Sequence, residues 1–259
     1  MARSEQSRAM GQDDAITERF PSLFRPPLGF ACPWERADAE DDALARLAGA
    51  LDSGATGLAG HLHLTADGVP VLHPEPQVRV GLRRRRLAQL TRAQVPNDVP
   101  SLGQLYQRCG SRFELALSVD DMAAATAAVA VASEAGGDAV GRLWLCCPDW
   151  RQAAAWRVAA SPDVRLVDVT RLRGMDEGPE RRAAALAGAD IDAVSLPEGD
   201  WSAGLTTLFH RFGRLAFVAG PASHRRQLDA VLALGVDAVT SDHPERMVDA
   251  LADLASTAS

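Results

Sequence analysis

From Leu28 onward the chain alternates eight times between a short apolar run and a longer Ala/Leu-rich segment of helical period. The apolar runs are residues 28–32, 57–64, 113–119, 142–147, 164–169, 191–195, 215–218 and 238–241. The helical segments are 39–53, 101–109, 120–135, 149–160, 179–188, 200–213, 222–234 and 244–255. A strand followed by a helix returns the chain to start a parallel neighbour, so this alternation demands a parallel sheet. Eight such units close into a (β/α)8 barrel, and 259 residues is the length such a barrel takes. The competing architecture is an open doubly wound sheet. Its dinucleotide-binding form needs G-x-G-x-x-G after the first strand, and no such motif follows residue 32.

Local signals support the alternation. Asp120 precedes an Ala-rich segment, Pro148-Asp149 opens the next, and Ser241-Asp242 precedes the last, as helix starts require. Gly54, Gly136 and Gly235 stand where helices should end. One unit is irregular. Residues 57–72 read as strand, turn, strand, with Ala66-Asp67-Gly68 as the turn and Gly68 at positive φ. A basic run, Arg83–Arg86, follows. Residues 1–27, ending at Pro26-Pro27, read as a flexible arm before a single domain over 28–259.

Charge and composition exclude several function classes. The formal net charge is −7, so bulk electrostatics do not favour nucleic acid. All 27 basic residues are arginine, which removes any lysine Schiff-base mechanism. Cys32, Cys109, Cys146 and Cys147 form no C-x-x-C pair, and a reducing compartment fits them. The first residues have no apolar core and no run nears 18 apolar residues, so the expectation is a cytoplasmic protein without a membrane span.

Three of the six histidines, His61, His63 and His73, lie in "GHLHLTADGVPVLHPEP". On a strand, His61 and His63 share a face. Such a pair binds a transition metal when a third ligand converges, with Glu40 and His73 as the nearby candidates. The plainer reading is a hydrogen-bonded polar rim. Arg83–Arg86 reads either as a site for a small anionic ligand or partner, or as a solvated face.

Three stretches carry a family resemblance. "SGATGLAGHLHLTADGVPVLH" (53–73), "VPSLGQLYQ" (99–107) and "LGVDAVTSDHPERM" (234–247) resemble, at matching spacing, motifs of the glycerophosphodiester phosphodiesterases. The resemblance implies a (β/α)8 barrel with a small hairpin insertion after the second strand. It also implies positions for chemistry, and these are changed. Cys32 stands for the family's first catalytic histidine and Pro33 for its phosphate-binding arginine. At the first helix Glu40 alone is kept. The two metal-binding carboxylates fall on Ala59 and His61. The second histidine falls on Pro74, or on His73 with a one-residue gap. The third carboxylate and a lysine fall on Ala116 and Ser118.

Phosphodiester hydrolysis needs a very large barrier reduction, and these changes remove the charges that provide it. The family's Mg²⁺ or Ca²⁺ is therefore not expected, nor any other cofactor. The chain reads as a non-catalytic barrel with a binding or scaffold role. The alternatives are an active phosphoric diester hydrolase of lipid metabolism, and a hydrolase with a histidine-based metal site. Cys32 and His73 are the catalytic candidates by position. Trp34, Arg36, Glu40, His61, His63 and Asp242 are the candidates for lining the mouth. Trp34 either fills the phosphate space or packs, Glu40 complements a helix dipole, and Asp242 also serves as a helix cap.

Overall fold

A computed structural model describes residues 21–36, 42–159 and 161–257. Its strands are β1 (Leu28–Ala31), β2 (Gly57–Leu64), β3 (Pro70–Leu72), β4 (Gln77–Val80), β5 (Arg83–Arg86) and β6 (Glu114–Ser118). They continue with β7 (Leu143–Cys147), β8 (Arg165–Val169), β9 (Ala193–Pro197), β10 (Leu215–Pro221) and β11 (Ala238–Ser241). The helices are α1 (Ala43–Asp52), α2 (Leu102–Cys109), α3 (Met122–Ala135) and α4 (Trp150–Ala159). They continue with α5 (Pro179–Gly188), α6 (Ala203–Arg211), α7 (Arg225–Ala233) and α8 (Pro244–Thr257). The sheet runs β1-β11-β10-β9-β8-β7-β6-β2 with every pair parallel, and β2 closes on β1 through Phe30↔Gly57 and Ala31↔Leu58. The expected closed (β/α)8 barrel is the fold.

The insertion after β2 is larger than one hairpin. β3 pairs antiparallel with β2, and β4 and β5 form a second antiparallel pair. The first turn matches the expectation. Gly68 has φ 78°, Thr65 Oγ1 donates to Asp67, and Gly68 N donates to the Thr65 carbonyl. Arg83–Arg86, read as a charge run, is the second strand of the outer hairpin and is exposed along its length. The insertion has its own small core of Val71, Val78, Leu87, Leu90, Val95 and Val99.

Helix starts follow capping chemistry, with one correction. Asp42, Ser101 and Ser202 cap α1, α2 and α6 with their side chains. For α3 the cap is Asp121, which accepts from Ala124 N at 2.8 Å, and not Asp120. Strand β9 begins two residues later than its apolar run; just before it, Asp192 bonds the backbones of Leu166 and Leu215 on both sides, and its carboxylate accepts from Leu166 N and Arg157.

The barrel wall separates two apolar regions. The outward strand faces and the helices form the main core, including Leu47, Leu58, Leu117, Trp156 and Phe209. Inside the barrel, Leu28, Phe30, Ala116, Trp144, Val167, Ala193, Phe217 and Ala238 pack together. Large and small side chains alternate there, as a filled barrel interior requires. Trp144 is fully buried and lies 4.9 Å from the Phe217 ring. Its Nε1 donates to Glu114 Oε2 at 2.7 Å, and Arg165 stacks on its ring at 4.7 Å.

The chain just before β1 is tied to the end of the barrel. Asp237, just before β11, is fully buried and accepts from Ser22 Oγ and the amides of Leu23 and Phe24. Its other oxygen accepts from His210 Nε2 and Ala216 N, both at 2.7 Å. Phe24 then meets Trp144 edge-on at 6.3 Å. A buried carboxylate needs donors, and the chain before β1 supplies three of them. Residues 1–20 lie outside the described residues.

Candidate functional site

In a barrel of this kind chemistry belongs at the C-terminal ends of the strands. Here Ala59 of β2 lies in register with Ala116 of β6, and Ala116 with Trp144 of β7. Ala59 and Ala116 both belong to the interior apolar cluster. One step toward the mouth on the same face, His61 lies in register with Ser118, and Ser118 with Cys146. The lining above the core is thus imidazole, hydroxyl and thiol.

The histidines form a connected rim. His63 Nε2 donates to the His73 carbonyl at 3.1 Å, which assigns its proton to Nε2. His73 N donates to the His61 carbonyl at 3.1 Å, and His73 Nδ1 sits 2.7 Å from the Glu75 carbonyl. His61 has an open edge to solvent, yet desolvation by the rim lowers its pKa against the pull of Asp120. His63 is also lowered, first by burial, with Asp120 opposing and His61 and His73 reinforcing. Both are neutral at neutral pH. Asp120 is the group that reading the sequence missed here. In "VDD" only one aspartate can cap the helix, and that surplus was the available signal.

The other candidates are dispersed. Cys32 follows β1, its amide bonded to the Ser241 carbonyl at 2.8 Å, and no cysteine forms a disulfide. Burial pushes the Cys146 thiol up to about 12 and raises Cys147 as well, so neither is a ready thiolate. Trp34 lies in the short 3-10 turn Pro33–Arg36 and donates Nε1 to the Ala59 carbonyl at 2.8 Å. A Cβ on Gly60 would stand 2.9 Å from that nitrogen, so Trp34 covers the face of β2 opposite Ala59 and His61. It also packs against the outer core. That position answers to packing and not to filling the interior of the mouth. Asp242, just beyond β11, has a buried Oδ1 that no donor reaches among the described residues. Glu40 and the Arg36 side chain lie outside the described residues. Among the described residues, no group of three or more His, Cys, Asp or Glu side chains is placed to hold a metal ion.

The basic run makes its own surface. A basin of about 600 Å³ is lined by Gln77, Val80, Arg83, Arg84, Arg85, Arg86 and Gln89. No helix among the described residues is long and apolar enough to cross a membrane.

Neither a family model nor a curated protein matches the sequence. Solved structures do match in shape. A Silicibacter pomeroyi protein assigned as a glycerophosphoryl diester phosphodiesterase has a TM-score of 0.73 at 18% identity, over 92% of this chain and 96% of its own. A phosphodiesterase of Oleispira antarctica, solved with its product sn-glycerol-3-phosphate, has a TM-score of 0.73 at 15% identity, over 87% and 97%. The glycerophosphodiester phosphodiesterase of Thermotoga maritima has a TM-score of 0.70 at 13% identity, over 86% and 97%. The chain therefore has the glycerophosphodiester phosphodiesterase fold across nearly its whole described length.

Proposed function

We propose that this chain is a member of the glycerophosphodiester phosphodiesterase family that has lost phosphodiesterase chemistry and acts as a binding or scaffold protein. The observation that carries this reading is the pairing of Ala59 with Ala116 inside the apolar layer of Trp144 and Phe217. By the sequence resemblance these two positions are where the family places metal-binding carboxylates. A hard divalent cation requires oxygen ligands, and two methyl groups beside an imidazole at residue 61 do not fit it. The loss goes beyond missing ligands. A carboxylate at residue 116 would be desolvated next to an indole ring, so the site is closed by packing as well as by chemistry.

The positions matching the acid–base histidines support the same reading. Cys32 has replaced one, and His73 lies on the rim with its Nδ1 against the Glu75 backbone. The test is turnover of glycerophosphocholine and of a chromogenic phosphodiester by purified protein, with Mg²⁺, Ca²⁺, Mn²⁺ or Zn²⁺ supplied in turn. No turnover above the metal-only background is expected. Turnover with Mg²⁺ or Ca²⁺ would establish an active hydrolase instead. Turnover with Zn²⁺ alone, abolished by His61→Ala, would establish a histidine-based metal site.

A further inference from the structure

The β4–β5 hairpin concentrates Arg79, Arg83, Arg84, Arg85 and Arg86 on one small projection. Their cross-strand neighbours supply no acid: Gln77 faces Arg86, Val78 faces Arg85, and Val80 faces Arg83. Arg79 faces Arg84, a like-charged pair that opposes the hairpin's own stability. Only Arg84 has a carboxylate partner among the described residues, Glu75 at 3.1 Å, and both side chains are exposed. Positive charge is thus held in place with one carboxylate against five arginines, on a chain whose net charge is −7.

The tip adds a second, independent observation. Leu82 follows Gly81 (φ 60°) at the turn and is 93% exposed, against 52% for Leu23 and 37% for Leu172 and Phe212. The base is anchored, since Val78 and Leu87 are buried with Val71, Leu90, Val95 and Val99. A supported hairpin therefore presents one bare leucine at the turn that leads into the arginine strand.

We infer that this hairpin docks the protein peripherally on an anionic phospholipid surface. Leu82 seats in the interfacial layer, and the arginines bind headgroup phosphates, for which the guanidinium fork is suited. An anionic surface attracts each nearby arginine, while the acidic remainder of the chain is repelled, so the approach is tip-first. A single-stranded nucleic acid fits less well, because such sites interleave aromatic rings for base stacking and residues 77–89 contain none. The hairpin begins four residues after His73, so docking would hold the barrel's rim near the headgroups.

Co-sedimentation of the full chain with vesicles tests this, using phosphatidylcholine alone or with about one-third phosphatidylglycerol, at about 0.1 M salt. Binding is expected only with phosphatidylglycerol, and is expected to weaken at about 0.5 M salt. Arg83→Gln, Arg85→Gln and Arg86→Gln combined should weaken it about a hundredfold, at roughly fivefold per arginine. Leu82→Ser should weaken it about tenfold while leaving the salt dependence intact. Unchanged melting temperatures would show that these exposed substitutions leave the fold alone. Absence of vesicle binding, or binding indifferent to the triple substitution, overturns the inference. Equal affinity for single-stranded RNA that ignores Leu82→Ser overturns it in favour of nucleic acid.

Discussion

The two ends of the barrel are built differently. At the N-terminal end the carboxylates of Asp237, Glu114 and Asp192 are all served. Asp237 collects donors from the chain before β1, from α6 and from β10, and Glu114 takes the Trp144 indole and Arg142 at 3.1 Å. Arg157 joins Asp192 to the carbonyls of Pro162 and Asp190. Toward the C-terminal end, Asp168 and Asp242 each keep a buried oxygen that no donor reaches among the described residues. The lining there is alanine, serine, cysteine and neutral histidine. Barrels of this kind use one end for stability and the other for chemistry. In this molecule those carboxylates at the N-terminal end are paired, while the C-terminal end carries the unpaired oxygens of Asp168 and Asp242, and the proposed function takes that end to be without phosphodiesterase chemistry.

Removing the hub is the strongest way to test that contrast. Asp237→Ala should cost about 4 kcal/mol in urea unfolding, since it orphans buried donors on three elements and releases Phe24 from the barrel floor. A loss below about 1 kcal/mol would mean that the N-terminal end is not the stabilising one. The pH dependence follows. Burial raises Asp237, but His210, Ala216 N and Ser22 together outweigh it and leave the pKa below its ordinary 3.8. A depressed carboxylate stabilises the fold above that ordinary value, and the contribution is lost as pH falls through the lower folded value.

The interior comes next. Ala116→Glu should destabilise by about 3 kcal/mol, because it buries a charge against Trp144. Recovery of that loss on adding millimolar Ca²⁺ would show that the mouth has kept ligand geometry, contrary to the proposed function. A silent substitution would show that the apolar layer yields easily.

Asp168 should behave opposite to Asp237. Burial pushes its carboxyl up to about 6, although Arg182 Nη1 lies 2.9 Å from Oδ2. A raised carboxylate favours the fold when protonated, so its contribution is full below about pH 4 and is lost as pH rises through 6. Asp168→Asn should therefore gain on the parent by roughly 2 kcal/mol between pH 4 and 7, read from paired melts. Parallel pH profiles would contradict the difference drawn between the two aspartates.

The smallest effect belongs to the insertion. Gly68→Val places a β-branched residue at φ 78°, with nothing within 4 Å of the new Cβ, so the cost is backbone strain alone. About 1–2 kcal/mol is expected by differential scanning calorimetry. No shift in melting temperature would show that the turn can relax, and that the rim histidines beyond it are not rigidly held.

Period and punctuation in the sequence determined the barrel. Eight apolar runs alternating with helical segments leave little else to build, and Asp67-Gly68 marked the hairpin turn because only a few residue types accept its backbone angles. The missing acids at 59 and 116 were legible by resemblance, and the structure shows those two alanines side by side in register. Tertiary structure alone decided the rest. Asp237 reads as one acid in a closing motif until the fold brings Ser22, His210 and Ala216 to it across more than 200, 27 and 21 residues. Trp34 reads as a neighbour of Cys32 until the turn carries it to the opposite face of β2. Asp120 and Asp121 are equivalent as letters, and only the helix axis chooses which caps and which faces His61 and His63. Local patterns are set by interactions within a few residues, which sequence order displays. Burial, donor counts and charge neighbours depend on contacts between distant segments, and sequence order does not display those.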